Sequence, residues 1–132
     1  MDENEVTNVN EAIEQIKPIV LRFADTNQTY TLEFNRATVS FAEKRGFPLT
    51  PTNGEEIINT RPAEVIPDLF YYAFQMHHKG ISKAITDKIL FEDLGGLTSE
   101  MLERLILLHT LGYETLINGE EKPKNANLVV EL

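Results

Sequence analysis

The sequence Ile19-Val20-Leu21-Arg22-Phe23-Ala24 leads through Asp25-Thr26-Asn27-Gln28 into Tyr30-Thr31-Leu32-Glu33-Phe34. Apolar and polar side chains alternate in both outer runs, and a period of two residues is typical of a strand with one buried face. Two such runs joined by a short polar turn predict a β-hairpin over residues 19–34. Its apolar face would carry three side chains from each strand: Ile19, Leu21 and Phe23 from the first, and Tyr30, Leu32 and Phe34 from the second.

Helix signals follow the hairpin directly. Asn35 is a favourable N-cap for a helix from Arg36 to Lys44, and Gly46 suits the left-handed position just after a helix. Because an isolated hairpin is only marginally stable in water, its apolar face needs a cover. We expect this helix to provide that cover with four side chains: Ala37, Val39, Phe41 and Ala42.

A central helix is predicted after an irregular connection. Two prolines and a glycine within residues 47–54 indicate that the linker at 47–62 has no regular structure. Pro67 would be costly inside a helix but is tolerated in a first turn. We therefore place a turn at 62–66 and the main helix at 67–79. This helix has almost no polar face, which is typical of a helix that is buried or shared with a partner.

Two further helices complete the predicted domain. Ser82 and Thr98 are suitable N-caps, and Gly95-Gly96 separates the two helices. The helix after Ser82 would direct six apolar side chains inward: Ala84, Ile85, Ile89, Leu90, Phe91 and Leu94. The last helix would do the same with Met101, Leu102, Leu105, Ile106, Leu108 and Leu111, and would end near Gly112.

These elements predict an α+β fold in which an N-terminal β-hairpin packs on a bundle of about four α-helices. The length of 132 residues fits a single domain. We divide the chain into an acidic arm at 1–17, with a short helix around residues 10–16 as one option, a domain at 18–117 and a tail at 118–132. Both arms are expected to be flexible, because the first carries only a thin set of apolar side chains at helical spacing and the second begins with a polar stretch.

Composition narrows the possible functions. The chain carries 21 acidic and 12 basic residues, for a net charge of −9, and it has no cysteine. An overall negative field disfavours general binding to nucleic acids and to anionic membranes. The absence of cysteine excludes disulfides, thiolate nucleophiles and cysteine-bound zinc. With no apolar run of roughly 20 residues and an acidic rather than basic start, we expect a cytosolic protein.

The three histidines raise the possibility of a metal site. Neighbouring residues on a helix point in different directions, so His77 and His78 cannot easily share one ion. His109 lies far away in sequence, and the His-Glu-x-x-His spacing is absent. No phosphate-binding loop and no nucleophile motif is present either. We therefore expect no catalytic residue, metal or cofactor, and keep a small metal-binding or hydrolytic enzyme using these histidines as an alternative.

Apolar side chains exceed what a small domain would be expected to bury. The surplus lies on the helices around Phe70-Phe74 and Leu105-Leu108. Exposed aromatic residues and methionine often mark partner-binding surfaces. We predict a partner-binding groove lined by four side chains: Phe70, Phe74, Leu105 and Leu108.

The last residues form a second candidate for partner binding. Leu128, Val129 and Val130 follow a polar segment that contains Pro123. Such a segment could add a strand to a partner or enter a groove. Pairing with the edge of the chain's own hairpin explains it equally well, and both interpretations stay open.

The order of elements resembles that of a known family. A strand pair at 19–35 leads into a helix at 36–46, then a Leu69-Phe70-Tyr71-Tyr72-Ala73-Phe74 helix that ends at His77-His78. A helix after Ile81-Ser82 and a helix rich in leucine and isoleucine complete the pattern. Over residues 18–117 this arrangement resembles the tail assembly chaperones of long-tailed bacteriophages, particularly those of Gram-positive hosts.

The resemblance implies a non-enzymatic role in the cytoplasm of an infected bacterium. Such chaperones coat the long, helical tape measure protein and recruit tail tube subunits until the tube replaces them. A tape measure helix would then dock on the groove predicted above, and homo-oligomers are possible. The family has no sharp ligand motif, so the resemblance transfers no individual residue. A third alternative, an acidic inhibitor of a host nucleic-acid-binding protein, would require a clustered acidic face.

Overall fold

The computed structural model describes residues 16–114, 116 and 123–132. Most of the predicted arm at 1–17, including most of the possible helix at 10–16, lies outside the described residues. So does the first part of the predicted tail at 118–132. Within the described residues the fold is α+β, with a two-stranded hairpin packed against five α-helices, which confirms the predicted class.

The hairpin forms where the alternation predicts it. Strand β1 (Ile19–Arg22) pairs antiparallel with β2 (Thr29–Leu32), in a register that places Ile19 opposite Leu32. Asn27 has a left-handed backbone (φ 58°), which the turn requires and asparagine tolerates. Ile19 and Leu32 are buried, whereas Val20 on the other face is exposed. The predicted apolar face is therefore confirmed.

The first helix also begins at the predicted residue. Helix α1 (Arg36–Lys44) is capped by Asn35, whose Oδ1 accepts a 2.8 Å hydrogen bond from the Thr38 N–H. Gly46 follows it with φ +89°. Val39 and Ala42 are buried in the core as expected, but Ala37 and Phe41 are exposed.

The region predicted as an irregular linker contains a helix. Helix α2 (Gly54–Thr60) begins after the second proline of that region, so no proline interrupts it. Glu55 and Glu56 lie in its first turn, where carboxylates stabilise the positive end of the helix dipole. The prediction was wrong for these residues because the prolines restrict only the part that precedes them.

The central helix begins earlier and ends earlier than predicted. Helix α3 (Pro62–Phe74) starts with proline in the first turn and carries Pro67 in its interior. Proline inside a helix removes one backbone hydrogen bond. Burial of six side chains compensates for this loss: Val65, Leu69, Phe70, Tyr72, Ala73 and Phe74. Residues 75–79 form turns and a bend rather than the predicted last helical turn.

The last two helices have the predicted caps. Ser82 Oγ accepts from the Ile85 N–H at the start of α4 (Lys83–Lys88), and Thr98 Oγ1 accepts from the Met101 N–H at the start of α5 (Ser99–Leu111). A π-helical turn at Ile89–Asp93 extends α4. Gly95 and Gly96, both with positive φ, end it.

Helix α3 lies at the centre of the domain. It contacts β2 and all four other helices among the described elements. The Glu33 N–H donates a 2.9 Å hydrogen bond to the Ala73 carbonyl, which fixes the hairpin to the end of α3. No helix among the described residues is long and apolar enough to cross a membrane.

Gly112 is closely packed between α5 and α1. A β-carbon added there would lie 2.5 Å from Val39 Cγ1 and 3.2 Å from the Asn35 carbonyl oxygen. We expect Gly112→Ala to lower the free energy of unfolding by about 1–3 kcal/mol, because neighbouring atoms must shift. Urea denaturation measures this loss. Gly54→Ala is the matched control, since its added carbon makes only ordinary 3.7 Å contacts. If the two variants have equal free energies of unfolding, Gly112 is not closely packed against Val39 and Asn35.

Candidate functional site

The four side chains predicted to line a groove are buried. Phe70, Phe74 and Leu105 have no exposed surface, and Leu108 is 2% exposed. Phe74 packs edge-on against Phe70 and against Tyr30 of the hairpin, at ring-centroid distances of 5.1 and 5.5 Å. The prediction of an exposed groove at these residues is wrong, because α3 is enclosed by the hairpin and by the other helices.

The alternative strand pairing of the last residues is also wrong. Among the described residues the sheet has only β1 and β2, and residues 128–132 form no helix or strand. Leu128, Val129 and Val130 are 57%, 72% and 62% exposed. We call residues 128–132 the terminal segment. Its apolar side chains are available to a partner, and partner binding there stays a prediction.

The three histidines have separate structural roles. His77 Nε2 lies 2.7 Å from Glu33 Oε1, and the Thr31 N–H donates a 2.9 Å hydrogen bond to His78 Nε2. Because that nitrogen must carry its lone pair toward Thr31, it is not free to bind a metal. Burial and the neighbouring His77 lower the pKa of His78.

His109 lies in the core, away from the other two histidines. Its ring packs against Phe34 and Phe47, with centroids 5.1 and 5.7 Å away. Burial lowers its pKa to about 4, and its Nε2 has no hydrogen-bond partner among the described residues. The same residues contain no group of three or more histidines and carboxylates placed to hold a metal ion. The structure therefore does not bring the three histidines together.

Three exposed apolar side chains lie instead within one short stretch of the chain. Ile85, Phe91 and Leu94 are all exposed, with Phe91 at 58%. We call residues 85–94 the α4–π segment. The helical pattern predicts that these three side chains face the core, and that prediction is wrong.

The helical pattern contains a signal for the exposure of Phe91. The buried side chains nearby are Thr86, Ile89 and Leu90. Phe91 lies five positions after Thr86, which is about 140° around an α-helix. A helical face centred on the buried Thr86 therefore places Phe91 outside.

Ion pairs lie within the α4–π segment and next to it. Lys83 Nζ lies 2.7 Å from Asp87 Oδ1 and 3.7 Å from Asp68 Oδ1, and Lys88 pairs with Asp93 at 3.4 Å. Exposed apolar side chains rimmed by charges are typical of protein-binding surfaces. The segment can therefore bury apolar side chains of a partner while the rim stays hydrated.

A second surface feature lies between α1 and the end of α3. It is an open groove of about 520 Å³ whose walls include six side chains: Phe41, Arg45, Tyr71, Gln75, Met76 and Lys79. We call it the α1–α3 groove. Sequence reasoning missed it, because its two walls are separated by about thirty residues and meet only in the folded chain.

Comparison with known proteins identifies a family but no function. No curated protein and no solved structure matches the chain. A family model, described as a domain of unknown function (DUF5055), matches residues 8–132. The match covers nearly the whole chain, including all the described surfaces. The chain therefore belongs to the DUF5055 family.

Proposed function

We propose that this protein is a tail assembly chaperone of a long-tailed bacteriophage, which binds the tape measure protein and tail tube subunits in the cytoplasm of the host. It keeps these clients soluble and guides polymerisation of the tail tube. The order of elements in residues 18–117 supports this assignment by its resemblance to that family. The exposed apolar side chains of the α4–π segment are the observation that carries it.

The α4–π segment has the chemistry that such a chaperone needs. A chaperone of this kind must offer apolar surface to a client without associating irreversibly. Phe91 and Ile85 each provide exposed apolar surface on this segment, and the ion pairs of Lys83 and Lys88 lie along the same stretch of chain. Amphipathic client helices present apolar side chains at three- and four-residue spacing, which suits a shallow apolar surface. The net charge of −9 favours solubility of the loaded complex.

The client would therefore dock on the α4–π segment and not on α3 or α5. Access to Phe70, Phe74 or Leu105 would require opening the core, at the cost of the packing that holds the hairpin. Access to Phe91 requires no rearrangement. Binding at Phe91 is therefore expected of a chaperone that stays folded, and binding at the buried side chains would be expected of one that unfolds to bind.

Co-expression with a tape measure protein tests the proposal. The double variant Ile85→Ser/Phe91→Ser should reduce the tape measure protein recovered with the chaperone by tenfold or more, since two apolar anchors of about 1.5–3 kcal/mol each are removed. The measurement is the amount of soluble tape measure protein that co-purifies. Val20→Ser, at an exposed position on β1, is the matched control and should bind normally.

The same experiment can contradict the proposal. If the wild-type protein neither solubilises nor co-purifies with a tape measure protein, the assignment as a tail assembly chaperone is wrong. If both variants bind like the wild type, the α4–π segment is not the client surface. Circular dichroism should show that both variants remain folded, because all three positions are exposed.

A further inference from the structure

We propose that the α1–α3 groove binds the terminal segment of a second copy of this chain, so that two copies associate by exchanging these segments. The inference goes beyond the proposed chaperone function and does not depend on it. Two features of the described residues support it: matching apolar surfaces and opposite charges.

The apolar surfaces of the groove and the segment match. Phe41 and Met76 leave more than a third of their surface exposed along the groove. An extended segment would place Leu128, Val130 and Leu132 on one face, because successive side chains of a strand point to opposite sides. That face can cover Phe41 and Met76, which removes apolar surface from water on both partners.

The charges of the two surfaces are opposite. Arg45 and Lys79 line the groove, and no carboxylate does, although the chain as a whole is strongly acidic. Among the described residues neither cation has a carboxylate partner. The Arg45 guanidinium lies 5.1 Å from the centre of the Phe41 ring, at the apolar floor of the groove. The positive charge of the groove favours a segment that carries the negative charge of Glu131.

A reciprocal exchange explains why the occupant is a second copy. One contact of five residues gains little over the entropic cost of association, so two contacts hold the copies together much more strongly than one. A two-fold arrangement makes two identical contacts for a single association, which is the usual form of a homodimer. Within one chain the side chains of the terminal segment remain exposed.

Sedimentation velocity over a concentration series tests the inference on the full chain. The wild type should shift from monomer to dimer as its concentration rises. Val130→Asp in the segment and Met76→Asp in the groove should each weaken the dimer by tenfold or more. Leu107→Asp, at an exposed position of α5, is the control and should associate like the wild type.

Mixing the two variants distinguishes segment exchange from other modes of association. The Val130→Asp chain keeps a functional groove, and the Met76→Asp chain keeps a functional segment. One intact contact should therefore form in a mixture, and the mixture should dimerise more strongly than either variant alone. Association of two segments or of two grooves predicts no such recovery.

Three results would overturn the inference. A wild-type chain that stays monomeric throughout the series has no exchange. A dimer insensitive to Val130→Asp or to Met76→Asp is held by other surfaces. A mixture that is no more dimeric than its components shows that the segment and the groove are not partners.

Discussion

Replacing Phe74 by alanine should lower the free energy of unfolding by about 3–5 kcal/mol. Its ring has no exposed surface and contacts both Phe70 and Tyr30, so its loss would leave a cavity between α3 and the hairpin. Urea denaturation followed by circular dichroism measures the effect. In a domain of this size such a loss removes a large part of the total stability.

The matched control is the same substitution at an exposed ring. Phe91→Ala should change the free energy of unfolding by no more than about 0.5 kcal/mol, because that side chain is 58% exposed. Comparing Phe74→Ala with Phe91→Ala also distinguishes a helix α3 that is buried in the core from one that is open to a partner. Near-equal stability of Phe74→Ala and the wild type would mean that α3 is open, as the groove predicted from sequence required.

The second large effect is a loss of stability in mild acid, caused by His109. Burial lowers the pKa of His109 in the folded chain to about 4, compared with 6.5 for a solvated histidine. Below pH 6.5 the unfolded chain therefore binds a proton that the folded chain does not, and this favours unfolding. The stabilisation is complete above pH 6.5 and falls by about 3 kcal/mol as the pH drops to about 4.

His109→Leu isolates this contribution from the titration of the carboxylates. Leucine has a similar volume, stays neutral and leaves no unpaired nitrogen beside Phe34 and Phe47. The wild type should lose more stability than the variant when the pH is lowered from about 7 to about 4. Parallel pH profiles of the two proteins would show that His109 is not buried in the neutral form.

Local signals predicted the parts of the fold that local chemistry determines. Alternation located the hairpin, and Asn35, Ser82 and Thr98 all cap helices through their side chains. Gly95-Gly96 ends the α4–π segment as expected. These features depend on a few neighbouring residues, so a single sequence is enough to identify them.

Burial could not be predicted in the same way. Helix α3 is apolar on nearly every side, and such a helix can be either central in a core or shared with a partner. The choice depends on how many elements surround it, and α2 was missing from the prediction. With α2 present, α3 contacts a strand and four helices among the described elements, and Phe70 and Phe74 belong to the core.

The candidate surfaces were the least predictable part. The terminal segment was identified because its apolar residues follow a polar stretch. The prediction that the apolar side chains of the α4–π segment all face the core was wrong, because a helix at the surface cannot bury every side. The α1–α3 groove depends on Phe41 and Met76, which approach each other only through tertiary packing.

Hydrogen–deuterium exchange of this protein, with and without the tape measure protein, is the most direct test of the central claim. We predict slower exchange over residues 85–94 when the tape measure protein is bound, with the exchange of α3 unchanged or slower. Unchanged exchange over 85–94, or faster exchange in α3, would contradict a chaperone that binds its client on this surface with its core closed.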